Sequence, residues 1–340
     1  MKEKISLLVF LFCISCSYGQ TKYTLLVDSV LQRAKETSMY SSIINWDSLT
    51  KQVHLKAEYA KTIQELKPAF ETLINGLRDH HGKIIDAKDY SYIAWFTDNK
   101  NRRYTDSRKF DNDVWKIVND TASKFVYKLL NDRVGYLKIV GIGPNVDIQK
   151  EAEKIRSAVI KLSRNKVNNW IVDLRYNGGG NMYPMVTGLG TLIGDGVVGK
   201  LVTSSKDTLF NWNILNGNFI YDVPDVVTLQ NNPKFKKHPK IAVLTSRWTV
   251  SSGEILATCL KGRSKTKFFG EATGGYTTNN NWEIINEQVI LNISTGIYCD
   301  RNGNIYDKNI PVDVEIPFEV VKETEKDKCI IEAMKWLKQK

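Results

Sequence analysis

From residue 134 onward, short apolar segments typical of strands alternate with segments whose apolar residues recur at helical spacing. The strand segments are VGYLKIV, NWIVDL, KIAVLT and TKFFG. Helical spacing is clearest over residues 148–162, where one face carries Ile148, Ala152, Ile155, Val159 and Leu162. Strands and helices that alternate in this way predict an α/β fold with helices packed on a sheet. No repeat of solenoid period is present.

The flanking regions have different patterns and predict a chain of five parts. Apolar residues at helical spacing mark an N-terminal helical segment, and polar aromatic sequence without a clear period follows it. The predicted parts are a signal peptide (1–19), the helical segment (20–82), a small connecting region (83–133), the core (134–318) and a C-terminal surface helix (319–340). Within the core, the Asn-, Asp- and Gly-rich residues 194–237 predict an excursion over the surface.

The signal peptide is predicted from two early lysines, an apolar run and a small-residue cleavage site before Gln20. The protein is therefore expected to be exported, to a periplasm or outside the cell. Lipid attachment at Cys16 is an alternative to plain cleavage. Removing the signal leaves Cys259, Cys299 and Cys329, so at most one disulfide can form and disulfides are not expected to organise the fold.

Charge and hydropathy narrow the classes of partner. The basic residues give a net charge of +11 but are scattered through the chain. They form no basic stripe with interleaved aromatic residues, so nucleic-acid binding is not expected. No segment after the signal is long and apolar enough to predict a membrane span.

Two hydroxyls lie where a predicted buried strand gives way to a helix, in the stretch TVSSGEILA. Ser251 and Ser252 would lie beside the unpaired amides of the helix start, which can hold a negatively charged oxygen. The alternative is that they only cap the helix, with Glu254 completing a favourable first turn.

Three consecutive glycines, Gly178, Gly179 and Gly180, follow another strand. Glycines allow backbone conformations closed to other residues and let a ligand approach the main chain closely. They lack the order of a dinucleotide fingerprint, and no Gly-Lys-Ser/Thr follows as in a P-loop. No cofactor is therefore predicted, and an ordinary tight turn is the alternative.

Adjacent histidines follow an aspartate in the sequence GLRDHHGK, at the end of the helical segment. A histidine that titrates near neutrality can act as a general base, although solvated or hydrogen-bonded loop histidines are common. His80 and His81 lack the spacing of metal ligands and the cysteines are distant. No metal site is predicted.

Taken together, WIVDLRYNGGG, LTSRWTVSSGEILA and FFGEATGG resemble the core of the tail-specific, C-terminal-processing and tricorn-core serine peptidases. The resemblance implies a crotonase-like (ClpP/crotonase-type) α/β core preceded by an N-terminal helical cap. It also implies Ser251 as the nucleophile, three residues before Glu254, and the amides of Ser252 and Gly179 as oxyanion donors.

Relatives of the Ser–Lys kind carry a lysine base where this chain has Tyr276. The tricorn-like branch takes a histidine from an upstream Asp-x-His turn, which Asp79-His80-His81 matches. The resemblance therefore implies His81 as general base, with His80 as the other candidate. Asp307 is expected to orient the histidine, although the sequence IYDKNIPVDVEI departs from the family pattern.

The predicted function is that of an exported serine peptidase acting on unfolded or short peptides through an acyl-enzyme. A peptide-binding or scaffold protein that kept the fold and lost turnover is the alternative, favoured by the departure at IPVDV and the second serine at Ser252. An α/β hydrolase of the ordinary kind is not indicated, because no G-x-S-x-G sequence surrounds Ser251.

Overall fold

The structure is a computed structural model that describes residues 22–98, 111–120, 125–143, 146–221, 226–233, 235, 238–321 and 323–339. The predicted signal peptide, Cys16 and part of the predicted connecting region at 83–133 lie outside the described residues. Within the described ranges, no helix is long and apolar enough to cross a membrane. The three described cysteines are buried and free.

Three helices form the N-terminal part, as the helical spacing predicted. They are α1 (Lys22–Thr37), α2 (Trp46–Ala57) and α3 (Lys67–Leu77), followed by the strands β1 (Lys83–Asp86) and β2 (Tyr92–Trp95). Asn45 caps α2 by accepting a hydrogen bond from the backbone N–H of Ser48 at 3.1 Å. The apolar faces of these helices form one buried cluster together with residues of β1, β2 and a later strand.

The remainder alternates strands and helices. The described elements are α4 (Asn112–Asn119), β3 (Val126–Leu130), β4 (Val134–Lys138), α5 (Ile148–Ser163), β5 (Asn169–Asp173), α6 (Met182–Ile193), β6 (Gly196–Val202), β7 (Thr208–Leu215), β8 (Asn218–Ile220), β9 (Lys240–Thr245), α7 (Ser252–Leu260), β10 (Thr266–Gly270), β11 (Thr278–Ile284), β12 (Val289–Asp300), β13 (Val314–Glu315) and α8 (Lys328–Lys338). The fold is mixed α/β, as predicted.

The predicted strands of the core form one six-stranded sheet in the order β13-β10-β9-β5-β4-β3, parallel except for β3. Side chains alternate between its faces. Trp170 and Val172 join the large cluster that contains the helices α5, α6 and α7, whereas Ile171 packs on the other face with Ile330 and Leu337 of α8. The C-terminal helix has an exposed side, as expected of a surface helix, and its apolar side covers this face of the sheet.

A second sheet has the order β2-β1-β12-β6-β7-β8, and β11 pairs with β12 outside that path. The prediction that residues 194–237 make a surface excursion is wrong for β6, β7 and β8, which belong to this sheet and bury Leu201, Trp212 and Phe219. Asn, Asp and Gly mark hairpin turns as well as loops, so composition alone did not separate the two.

Candidate active site

The serine stretch and the glycine turn meet at one edge of the parallel sheet. Strands β5 and β9 are adjacent and parallel, so the chain leaves both of them at the same edge. Two side chains join the departing segments: Ser246 Oγ donates to the carbonyl of Arg175 at 2.6 Å, and Thr249 Oγ1 donates to that of Leu174 at 2.8 Å. The two motifs are therefore held against each other by buried hydrogen bonds.

Ser251 has an unusual backbone conformation. It precedes α7 at the N-cap position with φ 54° and ψ −121°, whereas an N-cap residue normally lies in the extended region. Positive φ is uncommon outside glycine, and such strained residues cluster at functional sites. Ser251 also forms a capping box with Glu254, so it caps α7, but capping alone does not require a positive φ.

The glycine turn packs against Ser251. Gly179 has φ +92°, and a Cβ atom added there would lie 2.9 Å from the Cβ of Ser251. The N–H of Gly179, however, donates to Asn177 Oδ1 at 3.0 Å. Ser252 begins α7, so its amide belongs to the helix start that has no partner within the helix. Its hydroxyl donates to the carbonyl of Gly180 at 2.6 Å.

Glu254 connects α7 to the loop that follows β10. Its carboxylate accepts hydrogen bonds from the N–H of Ser251 at 2.9 Å, the hydroxyl of Thr273 at 2.5 Å and the N–H of Gly275 at 2.9 Å. Glu254 therefore ties the start of α7 to this loop. Complete burial raises the pKa of Glu254 to about 7, although the three donors favour the ionised form.

The buried carboxyl of Glu254 should make stability depend on pH. Its pKa is about 7 in the folded protein against an ordinary value of 4.5, so the folded state holds the proton more tightly. The free energy of unfolding should therefore fall as the pH rises from about 4.5 to 7, by roughly 3 kcal/mol. Urea unfolding of the wild type and of Glu254→Gln at several pH values measures this.

Glu254→Gln should remove that contribution to the slope, whatever its effect on stability at one pH. The matched control is Glu332→Gln on the exposed side of α8. A slope that is the same in wild type and Glu254→Gln would contradict the assignment.

Both histidines lie on the turn between α3 and β1 and contact the loop that Glu254 holds. His80 Nε2 is 2.8 Å from the carbonyl oxygen of Gly275, and both imidazoles pack edge-on against Tyr276, with centroids 5.3 Å and 5.2 Å from its ring. Contacts therefore connect the histidine turn with Ser251 through Gly275 and Glu254. No direct hydrogen bond from Ser251 Oγ to His81 is found among the described residues.

His81 is buried and its Nδ1 atom lies 3.0 Å from the hydroxyl oxygen of Thr278. Burial, together with the charges of Lys83 and His80, holds the pKa of His81 well below its usual value. The imidazole is therefore neutral at neutral pH, which is the protonation state that a general base requires.

Asp307 does not occupy the orienting position expected for it, because Nδ1 of His81 contacts a hydroxyl instead. Asp307 is exposed and follows a segment in which Ile305 pairs with Cys299, near the C-terminal end of β12. The side chains around His81 contact β12 at Ser294. Ser294 lies five residues before Cys299, which is a distance of roughly 17 Å along a strand. The expected contact between Asp307 and His81 is thus not observed.

Sequence reasoning also missed Thr278 and Ser294. Thr278 follows closely after the Thr-Gly-Gly-Tyr stretch that replaces the lysine motif, and this proximity was the available signal. Nothing in the local sequence around Ser294 distinguishes it from other alternating strand residues.

A cavity of about 450 Å³ has Asn280, whose side chain donates to the carbonyl of His81, in its lining, but Ser251 and His81 are not among its lining residues. It lies between Met182 at the start of α6, Phe210 on β7 and the asparagines at 279–281 on β11, immediately after Thr278. Its lining is half apolar and half polar, with the three asparagine amides on one side. Within the described part of the chain, no three His, Cys, Asp or Glu side chains gather where they could hold a metal ion.

Comparison with known proteins gives a family match over the core. The model of "Peptidase family S41" matches residues 133–316. A nisin-resistance protein from Lactococcus lactis subsp. lactis is 36% identical over 181 residues, which are 52% of this chain and 52% of that protein. The chain thus spans about half the length of that curated relative.

Solved structures share the fold over most of the chain. A lipoprotein from Streptococcus agalactiae has a TM-score of 0.67 at 22% identity. The match covers 92% of this chain and 95% of the lipoprotein chain. A photosystem II D1 C-terminal processing protease has a TM-score of 0.57 at 14% identity, with 90% and 96% covered. At these identities the likeness concerns the fold alone.

Proposed function

Because this chain belongs to peptidase family S41, we propose that it is a serine peptidase that cleaves unfolded or short peptides. Ser251 is the nucleophile and His81 the general base. The observation that carries the proposal is the strained backbone of Ser251, held at the N-terminus of α7 and against Gly179. A structural serine has no need of this arrangement, whereas a nucleophile must present its hydroxyl beside amides that can hold an oxyanion.

In the proposed mechanism, Nδ1 of His81 is engaged by Thr278, which leaves Nε2 to accept the proton of the Ser251 hydroxyl. The serine oxygen attacks the scissile carbonyl, and the amide of Ser252 donates to the resulting oxyanion. His81 then returns its proton to the leaving amine, and the acyl-enzyme forms. Water, deprotonated by the same imidazole, releases the second product and restores the serine.

The peptide is proposed to bind in the cavity between Met182, Phe210 and the asparagines at 279–281. We include export by the predicted signal peptide, a crotonase-like core and a capping role for the N-terminal helices in the same proposal. The likeness to a nisin-resistance protein supports a peptide substrate and makes nisin a peptide to test. No step requires a metal or a cofactor.

A fluorophosphonate probe tests the nucleophile directly. We expect the probe to form a covalent adduct on Ser251, located by peptide mass spectrometry, because an activated serine attacks phosphorus while unactivated serines do not. Prior labelling should block cleavage of a peptide panel that includes nisin. An unlabelled protein, or an adduct on a different serine, would contradict the assignment.

A second candidate function is peptide binding without turnover. The observation that favours it is the hydrogen bond from the Gly179 N–H to Asn177 Oδ1, which occupies one expected oxyanion donor. A peptidase would need that amide to turn toward the substrate. Peptide binding measured by calorimetry, with neither probe labelling nor cleavage across a pH range, would support this second function.

A further inference from the structure

A continuous line of polar side chains leads away from His81. Its Nδ1 atom is 3.0 Å from Thr278 Oγ1, which lies 2.8 Å from Ser294 Oγ, which in turn lies 2.7 Å from Asp79 Oδ1. All four side chains are buried, with exposures of 8%, 6%, 0% and 0% in that order. The line ends on the aspartate two residues before the histidine.

The donors in this line have one consistent direction. An ionised carboxylate only accepts hydrogen bonds, so the hydroxyl of Ser294 donates to Asp79. Ser294 Oγ is placed to donate to three acceptors, Asp79 Oδ1 at 2.7 Å, Thr278 Oγ1 at 2.8 Å and Asn280 Oδ1 at 3.2 Å, but it has only one proton. The carboxylate is the nearest and strongest of these acceptors, so we assign the proton to Asp79, and the contact between the two hydroxyls then uses the proton of Thr278. Thr278 Oγ1 then has no proton left for His81 and can only accept a hydrogen bond from it. The donor must be the Nδ1–H group of the imidazole. With the Ser294 proton on the Asp79 side, this assignment selects the imidazole tautomer with its proton on Nδ1.

The same groups also hold the histidine backbone. Asp79 accepts the N–H of His81 at 3.2 Å and the N–H of Ser294 at 2.7 Å. The side chain of Asn280 donates to the carbonyl of His81 at 2.8 Å. Asp79 therefore accepts hydrogen bonds both from the backbone of His81 and from the hydroxyl of Ser294.

Resting on the proposed peptidase function, we propose that Thr278, Ser294 and Asp79 are positioning residues that orient His81 through two hydroxyls. They fix the Nδ1–H tautomer and leave Nε2 free to accept the proton of Ser251. The carboxylate acts at a distance through neutral groups, so no anion touches the imidazole. This arrangement takes the place of the direct carboxylate expected from Asp307.

The charged and titratable groups around the ring agree with this assignment. His80 and Lys83 lie near His81, and Tyr276 packs edge-on against it, while no carboxylate is in contact with the ring among the described residues. The line of hydroxyls therefore supplies orientation more than charge stabilisation. A buried polar network of this kind is stable only when every member is satisfied, so one lost hydroxyl affects the whole line.

The test uses ¹⁵N NMR of the His81 imidazole in full-length protein carrying Ser251→Ala, which reports the tautomer without any need for turnover. We expect the Nδ1–H tautomer in this background. Adding Thr278→Val, which keeps the shape but removes the hydroxyl, should shift the population toward Nε2–H. Adding Thr278→Ser instead should restore Nδ1–H. Unchanged tautomer populations in Thr278→Val would overturn the proposal.

Kinetics in the wild-type background give the second readout. Thr278→Val should lower kcat by roughly 10- to 100-fold with little change in KM. The reason is that less of His81 is then in the Nδ1–H tautomer that can act as a base, while peptide binding is unaffected. Thr278→Ser should recover most of the loss, and Ser294→Ala should reproduce the defect. If Thr278→Val unfolds, Ser294→Ala carries the same test.

The two proposals fail in different ways. A protein without peptidase activity whose His81 tautomer responds to Thr278→Val would refute the peptidase function and uphold the positioning line. An active enzyme whose tautomer and kcat both ignore Thr278→Val and Ser294→Ala would refute the line and uphold the peptidase.

Discussion

Ser251→Ala is expected to lower kcat for peptide hydrolysis by roughly 10⁴-fold or more, because the acyl-enzyme cannot form without the hydroxyl. The substitution removes one oxygen from a half-buried position, so folding should be retained and the loss should appear in kcat rather than in KM. Initial rates on a peptide substrate, with unfolding curves of the same preparations, measure both quantities.

Ser252→Ala is the matched control for this experiment. The adjacent hydroxyl donates to the carbonyl of Gly180, and the amide proposed as an oxyanion donor is kept in the variant. We therefore expect a loss of less than about tenfold, the cost of one neutral hydrogen bond. If Ser252→Ala abolished cleavage while Ser251→Ala kept it, the nucleophile would be the other serine.

Arg175→Leu is expected to cost the largest share of stability, roughly 3–5 kcal/mol of the free energy of unfolding. The guanidinium donates to Asp173 at 3.0 Å and 2.7 Å and to Asp327 at 3.1 Å and 2.8 Å, and all three side chains are buried. Removing the cation leaves two carboxylates without their partner. Because Asp327 also caps α8, the end of that helix should loosen as well.

Urea unfolding measures the loss, with Arg33→Leu as the control. Arg33 pairs with Glu283 and Glu36 but is largely exposed, so its replacement should change stability far less. A change in Arg175→Leu as small as that in Arg33→Leu would show that the buried pairs are not required.

Local pattern predicted the elements that carry their own signals. The helix at 148–163 has a clean apolar stripe, and the strands around Trp170 and Val243 are continuous apolar runs ending in turn residues. The turns after those strands were recognised from glycines and serines that need special backbone conformations. The family match confirms the resemblance that these stretches carried.

The prediction was weakest where composition had two structural meanings. Polar residues and glycines around β6 and β7 were interpreted as a loop, although Trp212 and Phe219 are buried in a sheet. Hairpin strands carry half of their residues on an exposed face, so their average polarity approaches that of a loop. The C-terminal helix was found by its period, but the pattern did not say which surface its apolar face covers.

The sequence by itself determined the family, the strands β4, β5, β9 and β10 of the parallel sheet, and the identity of Ser251 and His81 as candidates. Only the tertiary structure decided which groups stand behind the histidine, because Thr278 and Ser294 are 197 and 215 residues away from the residues they contact. Such contacts depend on the register of β11 and β12, where a shift of one residue would turn each side chain to the opposite face. Propensity and spacing act over a few residues, whereas that register is set by the packing of the whole sheet.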